Sequence, residues 1–400
     1  MKTIALSFRY LWSRPLASVL NLLLLSLGLA SITLVLLTRA QIDRAFARDL
    51  AGIDAVVGAK GSPIQLILSG VFHLDVPPGN IPLAEVQALK NDPRVARLIP
   101  LSLGDSYRGY RIVGTHSDYV LHYGAAVAQG HLWAAPMEAV LGAGVAAATG
   151  LKPGDRFAGG HGLGEGGDAH ASEPYQVSGV LAPCRCVLDR VVLTSTESVW
   201  QLHEAHHEPD EKDHDEADEK REITMALIQY TTPLAAVSFP RHVNTSTSMQ
   251  AAAPALEITR LLRMVSVGAD VLRGFGVVLL LTAALSVFIA LWNAVRERRT
   301  DLAMLRMLGA SPTKLAALLV CEALWLAVFA TVLGLAGGHL LTGLLGWMLA
   351  AEKSLPLTGW IWLGRELWIA ALALGVAVLA ALLPAWSAFR VEAGQLLNSR

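Results

Sequence analysis

The densest cluster of metal-ligating side chains lies between His203 and Glu222, in the sequence HEAHHEPDEKDHDEADEKRE. It holds four histidines and ten carboxylates against three basic residues. Neutral imidazole and carboxylate together suit zinc, nickel or copper. The spacing fixes no tetrahedral shell, so the segment predicts a reversible Zn²⁺ site shared among His203, His206, His207 and His214. The alternative is a solvated acidic loop of biased composition, which binds no metal.

Two cysteines, Cys184 and Cys186, stand just after a predicted strand that ends at Leu181. Three interpretations are open: a disulfide in an oxidising compartment, a thiolate pair for a soft metal, or two residues without a special role. A disulfide at this spacing closes a strained ring and is not favoured. The third cysteine, Cys321, lies in a distant apolar stretch and is not expected to pair with them.

The rest of the chain offers little chemistry of its own. Glu322 lies in an apolar stretch, where a carboxylate is a candidate functional group, but its closeness to Lys314 favours a structural role. The glycine-rich segment Gly159–Gly167 lacks the Lys-Ser/Thr ending of a phosphate-binding loop and is interpreted as a flexible turn. No nucleophile stands beside a plausible base. The chain is therefore expected to be non-catalytic.

The chain that carries these candidate residues contains four long apolar stretches. Hydrophobic residues make up 53% of the 400-residue chain and charged residues only 16%. About 20 apolar residues are needed to cross a hydrocarbon core roughly 30 Å thick. The sequence thus predicts an α-helical membrane protein with four transmembrane helices, at residues 15–38, 274–295, 315–345 and 367–389. The net charge of -1 gives no indication of a nucleic-acid partner.

The first apolar stretch is interpreted as an anchor and not as a cleaved signal sequence. Signal sequences have an apolar core of about 7–15 residues that follows a short basic start. Residues 15–38 are longer, fourteen residues precede them, and no convincing cleavage site follows.

Basic residues indicate the orientation, because short cytoplasmic loops are enriched in lysine and arginine. They flank the first stretch, fill residues 296–314 and follow the last stretch. We therefore expect a bacterial inner-membrane protein with both termini in the cytoplasm. Residues 1–14 are predicted as a cytoplasmic interfacial helix, 296–314 as a cytoplasmic coupling loop, 346–366 as a periplasmic loop and 390–400 as a cytoplasmic tail.

Residues 39–273 are predicted to form an α+β periplasmic domain inserted between spans one and two. Helical periodicity at residues 39–50 and 257–273 predicts two stalks that continue the spans outward. Between them, proline and β-branched residues indicate a helix and several strands. The helix is expected at residues 82–91, and the strands at 111–114, 176–181, 191–194 and 225–230.

The segment from Arg296 to Lys314 predicts a short helix, a sharp corner and a long span. Its short helix has an apolar edge at Leu302 and Leu305, with arginines exposed at positions 298 and 306. Gly309 suits the left-handed residue just past a helix end. Ser311 is expected to cap the next helix, with proline at its first position. Such a shape is suited to a surface that docks a partner.

This segment resembles the permease domain shared by MacB, FtsX and the lipoprotein-releasing permeases LolC and LolE. The family loop typically reads ERR-x-E-I-x-x-L-R-x-L-G-A-S. It is matched here by Glu297, Arg298, Arg299, Asp301, Leu305, Arg306, Leu308, Gly309, Ala310 and Ser311. Near the C-terminus, Pro384, Ala385 and Ala388 resemble the family's P-A-x-x-A, although its usual later proline is absent. The outer domain also resembles the family's periplasmic core.

The resemblance implies the permease subunit of a mechanotransmission (type VII) ABC transporter that acts on an envelope substrate. The transporter would carry out efflux, extraction of lipoproteins or lipids, or metal-linked transport. For metal-linked transport, zinc is the most specific suggestion. The alternative is an FtsX-like signalling subunit that regulates a periplasmic hydrolase. The permease would be a homodimer, or a heterodimer with a paralogue, and a periplasmic adaptor or substrate-binding protein is a further candidate partner.

The same resemblance implies that a separate ATPase docks on residues 297–309, Leu302 included. The chain contains no G-x-x-x-x-G-K-[ST] sequence, so ATP and Mg²⁺ are expected in that partner chain.

Overall fold

The computed structural model describes residues 3–13, 15–162, 173–204, 221–351 and 357–390. Contacts between residues divide the chain into two units. Residues Met1–Ile42 and Met264–Arg400 form one, here called the helical unit, and Asp43–Arg263 form the other, here called the sheet unit.

The helices and strands are numbered here in the order in which they occur along the chain. The helices are α1 (Thr3–Leu11), α2 (Pro15–Asp49), α3 (Pro63–Gly70), α4 (Leu83–Lys90), α5 (Ser117–His122), α6 (Ala143–Thr149), α7 (Thr196–Glu204), α8 (Ala235–Ser246), α9 (Pro254–Glu297), α10 (Arg299–Met307), α11 (Pro312–Ala351) and α12 (Glu366–Phe389). The strands are β1 (Ala55–Ala59), β2 (Ile81–Pro82), β3 (Val95–Tyr107), β4 (Tyr110–Thr115), β5 (Val127–Gly130), β6 (Glu138–Leu141), β7 (Arg156–Phe157), β8 (Gly160–His161), β9 (Tyr175–Leu181), β10 (Val192–Ser195), β11 (Glu222–Ile223), β12 (Met225–Tyr230) and β13 (Met249–Ala252).

Four of the described helices are long and apolar enough to cross a membrane, which confirms the predicted number. They are α2, α9, α11 and α12. The predicted first span and its stalk, residues 15–50, form one helix that is unbroken as far as Asp49. Helix α9 likewise begins at Pro254 and runs to Glu297 without a break. Neither helix has an internal proline to interrupt its backbone hydrogen bonds.

Small residues set the packing inside the helical unit. A Cβ atom added to Gly334 of α11 would lie 2.6 Å from the Cβ of Leu29 in α2. One added to Gly338 would lie 2.5 Å from the Cβ of Thr33. Glycine at these positions lets the two backbones approach closely, as is common between membrane helices.

The sheet unit is built on one large mixed sheet among the described residues. Its strand order is β13-β1-β12-β3-β4-β10-β6-β9-β5, with β7 paired to β9 and β8 paired to β3. The pairs β4/β10 and β6/β9 are parallel, whereas the other pairs are antiparallel. Strands β2 and β11 form a separate small sheet. The predicted α+β class is therefore confirmed for this unit.

Strand β1 is buried on both faces of the sheet. In β1, Val56 belongs to the core cluster that contains Leu66 of α3, while Val57 belongs to the cluster that contains Phe239 of α8. Adjacent residues of a strand point to opposite faces, so helices cover both sides of β1. This explains why the strand reads as a continuous apolar run and not as an alternating one.

The predicted strands are all present, with small shifts at their ends. Residues 225–230 match β12, and the predicted helix at 82–91 is α4, Leu83–Lys90. The interpretation of Gly159–Gly167 as a flexible turn is wrong in its first part. Gly160 and His161 form β8, which pairs with Ser106 and Asp105 of β3. The pairing partner of β8 is the long strand β3, which is distant in the sequence. Local sequence alone therefore does not reveal this pairing.

Replacing Gly334 by valine should destabilise the helical unit, because its branched side chain would overlap Leu29 and the backbone carbonyl of Ser26. Overpacking of this kind typically costs about 1–3 kcal/mol. Gly375 of α12 is the matched control, since no atom lies within 4 Å of its added Cβ. The apparent melting temperature of the full-length protein in detergent should fall for Gly334→Val and not for Gly375→Val. An equal effect of the two substitutions would contradict the packing.

Candidate functional site

The candidate partner-docking site is the corner segment, residues 296–314, in which α9 ends, α10 follows and α11 begins. Gly309 has a φ of 93°, so the predicted left-handed residue past the helix end is confirmed. The carbonyl of Ser311 accepts a hydrogen bond from the backbone N–H of Lys314 at 3.0 Å. The hydroxyl of Ser311 lies 2.8 Å from the Oγ1 of Thr313. The predicted sequence of helix, corner and long helix is thus present.

Arg298 lies between α9 and α10 and points into the helical unit. Its Nη1 donates to the Oε1 of Glu322 at 3.3 Å, forming an ion pair with both side chains largely buried. Its guanidinium lies over the ring of Tyr10, 4.3 Å from the ring centre, and donates to the Oγ of Ser13. The expectation that Arg298 is exposed is therefore wrong. Burial of its charge is tolerated because Glu322, Tyr10 and Ser13 surround it.

The apolar edge predicted on α10 also faces inward. Leu302 is 3% exposed and belongs to the core cluster that includes Leu11 of α1 and Leu319 of α11. Leu305 packs against the same cluster. Leucines three residues apart cover one helix face, and here the other helices of the unit already occupy that face.

A different set of apolar side chains is left at the surface of the corner segment. Met304, Met307 and Leu308 are exposed, and Leu308 is 84% exposed. Among the charged residues of the motif, Glu297 and Asp301 are exposed and Arg306 is half-buried, while Arg299 begins α10. The sequence motif thus contains two kinds of residue. Arg298, Leu302 and Leu305 hold the corner segment in place, and its methionines and Leu308 form an apolar surface.

A second buried polar pair, which the sequence reasoning missed, joins α11 and α12. The Nε2 of His339 lies 3.0 Å from the Oε2 of Glu366. The Nδ1 of His339 donates to the carbonyl of Gly359 at 2.6 Å, and the other carboxylate oxygen of Glu366 accepts from the N–H of Leu363. The available signal was a histidine in one predicted span and a glutamate at the start of the next.

Cys184 and Cys186 form a disulfide, so the expectation that disfavoured an internal bridge is wrong. The bridge encloses a ring of three residues, in which Arg185 takes a left-handed φ of 57°. Closing so short a loop removes chain entropy equivalent to only ~1.6 kcal/mol from the unfolded state, against about 3 kcal/mol for a 15-residue loop. The disulfide therefore acts mainly on local geometry and contributes little to global stability.

The three-residue ring lies against the last residues of α2. The Nη1 of Arg48 donates to the carbonyl of Arg185. The N–H of Val187 donates to the Oδ1 of Asp49 at 3.1 Å, and the hydroxyl of Tyr123 donates to the carbonyl of Asp49 at 2.9 Å. These contacts occupy both the carboxylate and the carbonyl of Asp49 at the end of α2.

His73 is a buried histidine that follows Phe72 and contacts Tyr119, and both of these residues belong to the core cluster that contains Cys186. The Nδ1 of His73 donates to the carbonyl of Ser69 at 3.1 Å, and its Nε2 accepts from the hydroxyl of Tyr119 at 3.0 Å. That pattern is satisfied by a neutral ring. Burial, together with the nearby Arg111 guanidinium, lowers the pKa of His73 to about 3. His73 is therefore neutral at physiological pH.

The predicted metal ligands are not brought together in the described part of the chain. His203 lies in α7, whereas His206, His207 and His214 lie outside the described residues. The sulfurs of Cys184 and Cys186 are bonded to each other. Among the described residues, no group of three or more histidine, cysteine, aspartate and glutamate side chains could hold a metal ion.

Comparisons with known proteins identify the class. The model of the MacB-like periplasmic core domain matches residues 18–237, and that of the FtsX-like permease C-terminal domain matches residues 273–393. No curated protein matched the chain.

Two solved structures resemble part of the chain. The periplasmic region of MacB from Actinobacillus actinomycetemcomitans is 11% identical, with a TM-score of 0.35 over 53% of this chain and 95% of that one. The extracellular domain of the noncanonic ABC-type transporter YknZ from Gram-positive bacteria is 12% identical, with a TM-score of 0.31 over 50% and 98%.

The chain belongs to the MacB/FtsX family of ABC transporter permeases, with a MacB-like periplasmic core domain and an FtsX-like permease domain. It is a membrane protein with four candidate membrane helices. Permease subunits of this family are generally non-catalytic, work with ABC ATPases and often form dimers.

Replacing Arg298 by leucine should remove the cation that lies 3.3 Å from the buried Glu322 carboxylate. Loss of one partner of a buried ion pair costs about 3–5 kcal/mol. We expect the apparent melting temperature of the full-length protein in detergent to fall by roughly 5–10 °C. The double variant Arg298→Leu/Glu322→Leu should recover much of the loss, because neither charge remains. Arg296→Leu, at an exposed arginine of the same segment, is the control, and an equal loss in both single variants would refute the assignment.

The buried neutral His73 should also make the sheet unit less stable in acid. Its folded pKa of about 3 lies below the unfolded value of 6.5, so the unfolded chain binds the proton first as the pH falls. Stability should therefore decrease below pH 6.5, by at most about 1.4 kcal/mol per pH unit.

The contribution of His73 is isolated by comparing variants at pH 7.5 and pH 5.0. His73→Gln should lose more stability relative to the native protein at pH 7.5 than at pH 5.0. Tyr119→Phe, which removes the hydrogen bond and keeps the histidine, should retain the native pH dependence. Melting curves of the full-length protein measure the stability of both variants at the two pH values. A difference between the native protein and His73→Gln that does not change with pH would contradict the neutral assignment.

Proposed function

We propose that this chain is the permease subunit that couples ATP hydrolysis in a separate ABC ATPase to movement of its periplasmic sheet unit. The observation that carries the proposal is the corner segment. The Arg298–Glu322 pair and the buried Leu302 hold α10 against the helical unit, and Met304, Met307 and Leu308 remain exposed. A fixed helix with exposed methionine and leucine side chains is suited to insertion into a groove of a partner.

The proposed orientation places the corner segment and both chain termini in the cytoplasm, with the chain in the inner membrane of a bacterium. The basic residues of 296–314 support it, since cytoplasmic loops carry an excess of lysine and arginine. The sheet unit then lies outside, inserted between the first and second spans. The residue ranges agree, because Asp43–Arg263 fall between the apolar parts of α2 and α9.

The proposed transmission route is the pair of helices that belong to both units. Helix α2 continues beyond its apolar part to Asp49, and α9 begins at Pro254 before its apolar part. An unbroken helix transmits a tilt or rotation along its axis, whereas a flexible loop would absorb it. In the sheet unit, Phe46 of α2 packs edge-to-face on Phe72, and Ile258 of α9 is buried in the same core cluster.

A second permease copy, identical or paralogous, is proposed to complete the assembly. Large apolar side chains on α9, including Phe275, Leu281 and Leu285, are exposed in the single chain. In a membrane such residues face either lipid or a second copy. ATP-driven closure of two permeases requires the two copies to meet. A periplasmic adaptor or substrate-binding protein is a further proposed partner of the sheet unit.

The proposed work is transport of an envelope substrate, as efflux or as extraction of a lipid or lipoprotein. The match of residues 18–237 to a MacB-like core favours this class over a signalling subunit that regulates a periplasmic hydrolase. A zinc-linked variant of this function rests on the His203–Glu222 segment alone.

Replacing Leu308 by glutamate should weaken docking of the ATPase, because a charge would be placed in the centre of the proposed apolar contact. Apolar contacts at the centre of an interface contribute about 2 kcal/mol or more. Retention of the ATPase in affinity purification should then fall at least tenfold, with the permease still inserted in the membrane. Leu234→Glu is the matched control, since Leu234 is 81% exposed and lies in the sheet unit. Undiminished retention of the ATPase by Leu308→Glu would refute the docking surface.

A further inference from the structure

The Cys184–Cys186 disulfide is a reactive group that the proposed coupling function does not use. Cys186 is 5% exposed, whereas Cys184 is half-buried and the intervening Arg185 is exposed. Cys184 is therefore the more accessible cysteine of the pair. Disulfide exchange depends on such access, because the attacking thiolate must reach one sulfur atom.

The ring closed by this disulfide holds the backbone groups that contact the end of α2. Arg185 has a left-handed φ of 57°, which is uncommon for a residue other than glycine. The carboxylate of Asp189 accepts hydrogen bonds from the N–H groups of Cys184 at 3.0 Å and Arg185 at 2.7 Å. In this conformation the carbonyl of Arg185 meets Arg48.

The next residue after the ring makes the other contact with the helix. Val187 donates its N–H to the carboxylate of Asp49, which is 3% exposed. Opening the ring would free Arg185 to return to ordinary backbone angles and would move its carbonyl and the N–H of Val187 together. The disulfide thus fixes the loop conformation in which these contacts with the end of α2 are made.

We propose that Cys184–Cys186 is a thiol–disulfide exchange site for a protein dithiol, and that its reduction detaches the end of α2 from the loop at residues 184–190. This inference rests on the proposed coupling function for its consequence, since α2 is one of the two proposed transmission helices. The oxidised state keeps the helix attached, and the reduced state weakens the link between α2 and the sheet unit.

The exchange takes place in two steps that balance. A thiolate of the dithiol attacks Sγ of Cys184, a mixed disulfide forms, and Sγ of Cys186 leaves and takes up a proton. The second thiol of the reductant then attacks the reductant's other sulfur, which is bonded to Cys184 in the mixed disulfide. Cys184 is released and also takes up a proton. The chain gains two electrons and two protons, and the dithiol is oxidised to a disulfide.

The chemical part of the proposal is tested on the full-length protein in lipid nanodiscs. Cys321→Ala removes the remaining cysteine of the three in the chain. A thioredoxin variant that lacks its resolving cysteine is the probe, and peptide mass spectrometry identifies the trapped partner. We expect a mixed disulfide at Cys184. Trapping at Cys186, or no adduct under conditions in which the same probe reacts with dithiobis(nitrobenzoate), would overturn the proposal.

The structural part is tested by amide hydrogen exchange of the same protein before and after reduction by dithiothreitol. We expect peptides that cover residues 44–52 and 184–190 to exchange about tenfold faster when reduced, which corresponds to the loss of one or two hydrogen bonds. The strand Met225–Tyr230 should be unchanged. Unchanged exchange at residues 44–52 after complete reduction would overturn the proposal.

Two variants separate the disulfide from its contacts. Cys184→Ser/Cys186→Ser should show the faster exchange without any reductant. Arg48→Gln should accelerate residues 44–52 in part while the disulfide remains intact. Neither measurement includes an ATPase, so failure of the docking surface and failure of this exchange site are distinguishable. A double serine variant that exchanges like the oxidised native protein would refute the detachment.

Discussion

The buried ion pair between Arg298 and Glu322 is the interaction on which the corner segment depends. A guanidinium taken out of water is costly unless a counter-charge and further acceptors surround it. Glu322 supplies the charge from α11, and Tyr10 supplies a ring and a carbonyl from α1. The pair therefore ties three helices of the unit together. Helix α10 begins at the next residue, so its position follows from the same contact.

The orientation of α10 in turn decides which of its apolar residues are available to a partner. Leu302 completes the core of the helical unit, and Leu308 is left at the surface. The proposed docking surface, held in this way, would transmit force, because pushing on it would move the packed helices behind it. The glycines of α11 would also favour the transmission of force, because close backbone contact between α11 and α2 leaves little room for the two helices to slide past each other.

The sheet unit holds the far end of α2 by a different means. Hydrogen bonds are added there to the apolar packing of Phe46 on Phe72: the carboxylate of Asp49 accepts from Val187, and the backbone carbonyl of Asp49 accepts from Tyr123. Such contacts are directional and few, so their strength depends on the backbone conformation of the loop that carries them. Under the proposed coupling function, an ATP-driven movement and a change in the cysteine pair would therefore act on the same helix.

Local sequence alone determined the elements of this protein. The length of the apolar stretches predicted four membrane helices, Gly309 and Pro312 predicted the corner, and residues 225–230 predicted β12. These features follow from hydrocarbon thickness, backbone sterics and the period of side chains, all of which act between neighbours in the chain.

Only the tertiary structure decided which faces are buried and which side chains meet. Leucines at three-residue spacing predict an apolar edge on α10, but Leu11 and Leu319, which are distant in sequence, decide that it is covered. The cysteine ring likewise depends on the contact of Arg48 with the carbonyl of Arg185, 137 residues away. Such pairs are separated by tens to hundreds of residues. Periodicity describes each element by itself, and the choice of partner depends on how the whole chain packs.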